Sequence, residues 1–209
     1  MPGYLVETHH MWSVIASLLI GYFMGSVPYG LILMKLWGHC DIRQVGSGNI
    51  GATNVLRVGH RSLAVATLFC DVAKGSLSVL LGQMITGSED IAVLTGAVAV
   101  LGHLFPVWLK FMGGKGVATY IGILLALSWS MSLAFCGIWL GVAGISRKSS
   151  AASVIAIALM PLIIAVTGFE FHHQWPVFLV LSVLVLIKHK DNLVRLYLGT
   201  EPSIGRSRQ

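Results

Sequence analysis

Three short polar stretches in an otherwise apolar chain carry residue types suited to holding phosphate. The first reads Gly46-Ser47-Gly48-Asn49-Ile50-Gly51-Ala52-Thr53-Asn54-Val55-Leu56-Arg57. Its glycines allow backbone amides to converge on an anion, and Ser47, Asn49, Thr53 and Asn54 add neutral donors. Arg57 can close such a site with a planar fork matched to phosphate oxygens. A tightly packed small-residue loop is the plain alternative, although packing alone has no use for two Asn and an Arg.

The second stretch, Gly113-Gly114-Lys115-Gly116, sets a point charge beside permissive backbone at an expected helix start, an arrangement that favours anions. It is not a Walker motif, because the five residues before the Gly114-Lys115 pair lack the glycine that motif requires. A plain turn is the competing reading. In the third, Lys188-His189-Lys190-Asp191-Asn192-Leu193-Val194-Arg195, His189, Asn192 and Arg195 share helical spacing. A basic stretch after a membrane span is ordinarily an anchor, but an anchor does not require Asn192.

Other polar residues are expected to support these. Asp71 and Lys74, spaced i, i+3 inside an apolar run, form a buried or interfacial pair, and His103 in Gly102-His103-Leu104-Phe105-Pro106 is a hydrogen-bonded helix-end residue. His172 and His173 fall on the opposite side and carry no catalytic expectation. The carboxylates do not cluster into an oxygen cage, so no metal and no cofactor are expected. Cys40, Cys70 and Cys136 are scattered and suggest no disulfide framework.

The elements that must position these groups follow from composition. Of 209 residues, 56% are hydrophobic and only 11% charged, which excludes a soluble globule, a disordered chain and a collagen-like one. Runs near the roughly 20 residues needed to cross a bilayer recur along the whole length. The first, Thr8 to Met34, is too long for a cleaved signal and reads as a retained helix kinked near Pro28. Spans follow at Ser62 to Gly87 and Ile91 to Leu109. The uncharged stretch from Gly116 to Ser146 has basic residues at both ends, so it is read as two crossings hinged near Ser128, Ser130 and Ser132. Ala151 to Phe169 and Trp175 to Ile187 complete the set.

The expectation is an all-α integral membrane protein, a single membrane domain over 1–209 with seven transmembrane helices. Its N-terminus lies outside and its C-terminus in the cytoplasm. Cytoplasmic loops are expected at 35–61, 110–115 and 147–150, with a tail at 188–209. Lys35, Arg43, Arg57, Arg61, Lys110, Lys115, Arg147, Lys148, Lys188, Lys190, Arg195, Arg206 and Arg208 then share the cytoplasmic side, while the outward segments hold Glu7, Glu89, Asp90 and Glu170. The net charge of +6 therefore reports orientation, and no nucleic-acid partner is implied.

All three phosphate-binding stretches emerge on that one side, which suits an enzyme joining a water-soluble phosphate compound to something that lives in the lipid. A transporter or channel for phosphate metabolites would place its groups near the bilayer midplane instead. A regulatory partner protein is a third possibility.

The strings at 46–55, 102–106 and 113–119 (Gly-Gly-Lys-Gly-Val-Ala-Thr), together with His189 and Asn192, resemble the bacterial PlsY family of acyl-phosphate:glycerol-3-phosphate acyltransferases along nearly the whole chain. That resemblance implies transfer of a fatty acyl group from acyl phosphate to the 1-hydroxyl of glycerol 3-phosphate. The products would be lysophosphatidate and phosphate, in the first acylation of phospholipid synthesis at the cytoplasmic face of the inner membrane. It also implies that Ser47, Asn49, Thr53 and Arg57 hold phosphate and glycerol groups and that Lys115, His189 and Asn192 complete the pocket, with Ser150 and Ser153 in a further polar patch. Gly48, Asn54, Gly113 and Gly114 belong to the same binding loops. Met112 and Lys188 depart from the Lys and Arg usual in that family. No His followed four residues later by Asp occurs, so an acyl-enzyme is not expected. The proton of the attacking hydroxyl goes either to His189 or to a substrate phosphate.

Overall fold

The computed structural model describes residues 3–168 and 171–204, with side chains from residue 10 onward. The side chains of Glu7, Glu170, Arg206 and Arg208, which the charge argument uses, lie outside the described residues. Ten α-helices follow in order: α1 (Gly3–Ser26), α2 (Tyr29–Leu36), α3 (Ala52–Arg57), α4 (Arg61–Thr86), α5 (Glu89–Leu104), α6 (Val117–Leu127), α7 (Trp129–Ser146), α8 (Ser149–Val166), α9 (Trp175–Lys188) and α10 (Lys190–Tyr197). No strand occurs among the described residues.

Breaks fall where the backbone chemistry demands them. Pro28 cannot donate to a helical ladder, and α1 and α2 meet there at a bend of 44°. Ser128 is extended at φ −159° and divides the 116–146 run into α6 and α7. At its C-terminal end, α4 stops on Gly87, whose φ of 66° closes the last turn. The Ser88 hydroxyl then accepts from the Ile91 amide and starts α5.

Four helices are long and apolar enough to cross a membrane, and the bent α1–α2 pair makes a fifth. At 11 residues, α6 spans only about 16 Å at 1.5 Å per residue, and α9 is likewise shorter than a full crossing. The outward faces are oily: Phe69, Met84 and Ile145 are 73%, 81% and 91% exposed. Such a surface is tolerable in lipid, not in water.

The main core lies between α5, α6, α7, α8 and α9, where Leu104, Tyr120, Ile123, Phe135, Ile157, Met160, Phe178 and Val185 are fully buried. Tyr120 meets Phe178 edge-on at 5.6 Å. A smaller apolar cluster of Met34, Ile42, Ile50, Val55, Leu63 and Ala64 supports the polar segment between α2 and α4. The ends of α1 and α5 are tied together by Tyr22 Oη donating to Phe105 O at 2.8 Å and by Trp108 Nε1 donating to Ser26 Oγ at 2.8 Å.

Candidate active site

The 46–57 segment is held by one buried amide. Asn54 Nδ2 donates to the carbonyls of Ile42, Val45 and Asn49 at 3.1, 3.0 and 2.9 Å, and its Oδ1 accepts from the Ser47 amide at 2.8 Å. Gly46 lies so close that a Cβ would stand 2.2 Å from Asn54 Oδ1, and its φ of +63° is already in the left-handed region. With the loop wound around Asn54, the loop presents Ser47 and Asn49, and α3 presents Thr53 and Arg57, along one wall of a cavity.

The second loop is strapped to the end of α5. After Pro106 the chain makes a short 3-10 turn and passes through Lys110 and Phe111, both left-handed at φ 51° and 62°. The amides of Gly113 and Gly114 then bond back to Leu104 O and His103 O at 3.2 and 3.0 Å. Gly114 rests on the His103 ring, where a Cβ would stand 2.1 Å from Nε2. Beneath that ring, Lys74 Nζ lies 2.8 Å from Asp71 Oδ1, 2.7 Å from His103 Nδ1 and 3.0 Å from Val27 O. The expected pair inside the second span is thus a buried ion pair shared with a histidine.

Lys115 follows, in ion-pair contact with no carboxylate among the described residues. Burial holds its ammonium down to about 8; Glu201 opposes this, and the like charges of Arg195 and Arg57 add to it. An arriving anion would reverse that balance. Gly116, Val117 and Ala118 also line the cavity, so the unpaired amides and positive end of α6 face it.

The third wall comes from the C-terminal segment. His189 joins α9 to α10 and places Nδ1 2.8 Å from Val185 O. A carbonyl only accepts, so Nδ1 carries the hydrogen and Nε2 the lone pair. Burial and the nearby Lys115 charge bring this imidazole down to about 4, against the pull of the Val185 carbonyl and Glu201. Asn192 Nδ2 and Arg195 Nε donate to the two oxygens of Glu201, each at 2.7 Å. The Lys148 ammonium donates to the Glu201 carbonyl, and Ile204 N to Arg147 O at 2.8 Å. Burial alone would raise the Glu201 carboxyl, but the hydrogen bonds from Arg195 and Asn192 hold it below the usual range.

All of this surrounds one cavity of about 340 Å³. Its polar end is lined by Ser47, Asn49, Arg57, Lys115, Ser150, His189 and Asn192; Leu68, Ile121, Cys136, Trp139 and Leu140, from α4, α6 and α7, form an apolar wall. Trp139 Nε1 donates to Ser153 Oγ at 3.0 Å, tying that wall to α8. A site with one cationic end and one oily end suits an amphiphile whose headgroup is a phosphate.

Residues 15–199 match the family described as glycerol-3-phosphate acyltransferase. The glycerol-3-phosphate acyltransferase of Brucella anthropi is 46% identical over 204 residues, 98% of this chain and 97% of that protein. That of Nitrobacter winogradskyi is 50% identical over 185 residues, covering 88% and 93%. The chain belongs to the PlsY family of glycerol-3-phosphate acyltransferases. The fold agrees: a crystal structure of PlsY, an integral membrane glycerol 3-phosphate acyltransferase, in its glycerol 3-phosphate form superposes with a TM-score of 0.86 at 35% identity, covering 92% of this chain and 96% of that one. The lysophosphatidic acid form gives 0.84 at 34% identity. The protein is accordingly an integral membrane acyltransferase of phospholipid biosynthesis.

In this acyltransferase, Ser47, Asn49, Thr53, Asn54, Arg57, Asp71, His103, Lys115, Ser150, Ser153, His189 and Asn192 all border the cavity. Gly48, Gly113, Gly114 and Lys74 stand behind the lining. Asn54 spends its amide on the loop backbone, and Gly113 and Gly114 shape the approach to Lys115. Glu201 was missed by sequence reasoning. The signal available was an acid beyond Asp191 in a basic tail, which charge counting for topology passes over. The apolar wall was equally invisible, because Cys136, Trp139 and Leu140 look like any other membrane-facing residues.

Proposed function

We propose that the acyl donor is acyl phosphate and that the acyl group goes to the 1-hydroxyl of glycerol 3-phosphate, giving 1-acylglycerol 3-phosphate and inorganic phosphate. The carrying observation is the single cavity that joins Lys115 and Arg57 to an apolar wall. Acyl phosphate is such an amphiphile: its phosphate meets the cations while its chain lies along Leu68, Ile121 and Leu140. Glycerol 3-phosphate is held by the remaining polar groups, Ser47, Asn49, Thr53, Ser150, Ser153 and Asn192, with Gly48, Gly113, Gly114 and Asn54 fixing the loops. Asp71, Lys74 and His103 support the second loop.

In the reaction the glycerol oxygen bonds to the acyl carbon, the carbon–oxygen bond to phosphate breaks, and the hydroxyl proton passes to a phosphate oxygen. His189 accepts from the hydroxyl through Nε2 and positions it. Brought down to about 4, it is a weaker base than a phosphate monoester with its second pKa near about 6. Lys115, Arg57 and the start of α6 stabilise the charge that develops on the carbonyl and the departing phosphate. Holding both substrates in one cavity supplies much of the rest. No metal or cofactor takes part.

Seven crossings fit the same frame. The cavity is reached by the start of α4, the end of α5, the start of α6, the middle of α7, the start of α8 and the end of α9. That arrangement supports six successive passes after the bent α1–α2 span, short α6 and α9 included. With the N-terminus outside, the loops at 35–61, 110–115 and 147–150 and the tail from 188 face the cytoplasm of the inner membrane. The whole of 1–209 forms one membrane domain. Incubation of the purified protein with palmitoyl phosphate and labelled glycerol 3-phosphate should yield lysophosphatidate, with none from palmitoyl-CoA. Product from palmitoyl-CoA alone would overturn the donor assignment.

A further inference from the structure

We infer that His103 is itself a substrate contact: a neutral imidazole whose Nε2–H donates to a phosphoryl oxygen in the cavity. This deepens the reading above and rests on it. The observation is the set of neighbours around Lys74. An ammonium has three N–H bonds and no lone pair, and three electron-rich atoms surround this one: Asp71 Oδ1 at 2.8 Å, Val27 O at 3.0 Å and His103 Nδ1 at 2.7 Å.

Facing an ammonium, Nδ1 accepts. It has no second outlet for a proton, since Asp71 Oδ1 is 3.6 Å from it, beyond hydrogen-bond range. The ring hydrogen therefore sits on Nε2, at the opposite edge. That edge lies against Gly114, directly before Lys115, and His103 is among the residues bordering the cavity. Nothing among the described residues accepts a hydrogen bond from Nε2. A neutral donor built into the wall beside the cationic loop suits an anionic oxygen. It adds a directed hydrogen bond without adding charge, and it costs no reorganisation when charge develops there. Gly114 is what lets the ring edge come so close, since any Cβ would occupy its place.

The Lys74 contact and the Nε2 donor can be separated by substitution. In His103→Asn the side-chain carbonyl stands near the Nδ1 position and keeps an acceptor for Lys74, while the outer donor is lost. In His103→Gln the terminal amide reaches the Nε2 position and restores a donor. With the purified full-length protein, palmitoyl phosphate and glycerol 3-phosphate, His103→Asn is expected to stay folded, with wild-type melting behaviour, and to lose at least tenfold in kcat. His103→Gln should recover several-fold over it.

A KM rise for palmitoyl phosphate assigns the contact to the donor's phosphate, and one for glycerol 3-phosphate to the acceptor's; either supports the inference. Full activity in His103→Asn with loss in His103→Gln would overturn it, because that order marks a structural role through Lys74 alone. Failure of the wild type to form lysophosphatidate removes the acyl-transfer reading and this inference with it. A working wild type with an active His103→Asn removes the inference only.

Discussion

Two histidines border one cavity and use their Nδ1 atoms in opposite senses. On the α9–α10 side, His189 Nδ1 donates to a backbone carbonyl, leaving a lone pair on Nε2. On the α4–α5 side, His103 Nδ1 faces the Lys74 ammonium, leaving a hydrogen on Nε2. The same residue type thus offers an acceptor to the cavity from one wall and a donor from the other. Their partners differ in kind: a carbonyl four residues back in the same helix, against a buried ion pair assembled from α4 and α5. For a reaction that takes a proton from a hydroxyl while loading charge onto phosphate, both senses have a use. Lys115 lies between them, one residue from Gly114 on the His103 ring and close enough to His189 to depress its basicity.

Removing that shared cation is the most damaging change. Lys115→Ala should lower kcat/KM for acyl transfer by about 100-fold or more, the scale of losing a principal charge-stabilising group, with an unchanged melting temperature. Near-normal turnover in this variant would break the comparison at its centre. His189→Gln should cost less, because the amide can still accept from the hydroxyl: kcat within about threefold of wild type and KM for glycerol 3-phosphate raised several-fold. A loss of kcat of about 100-fold or more would instead make His189 the general base.

The smallest effect is the alkaline limb. Lys115 must be charged to bind phosphate and titrates at about 8 in the free protein, so kcat/KM is level below that pH and falls as pH rises through it. Lys115→Arg should remove this limb even if it is slower, because guanidinium stays charged. A limb that persists in Lys115→Arg belongs to another group.

Much of this was legible beforehand, for physical reasons. Glycines beside Asn, Ser and Arg at 46–57, and beside Lys at 113–116, marked both loops as candidates to meet an anion, and residues of both line the one cavity. The break at Ser128 followed from basic residues flanking an over-long run. The i, i+3 spacing of Asp71 and Lys74 gave the ion pair, but not its third member. His103 lies 29 residues from Lys74, and only the α4–α5 packing brings them together. Asn54 looked like a ligand group, yet its amide is consumed by loop carbonyls that come near only once the loop is folded. Glu201 was hidden for a similar reason, since its partners Asn192, Arg195 and Lys148 come from α10 and the α7–α8 turn.

The most direct test is nitrogen NMR of the purified protein labelled with 15N-histidine, its resonances assigned by single substitutions, before and after addition of glycerol 3-phosphate. The expected spectrum at neutral pH shows two uncharged rings of opposite tautomer, His189 protonated on Nδ1 and His103 on Nε2, and both move when substrate binds. Identical tautomers, a charged His189, or a response from only one ring would contradict a single cavity walled by both.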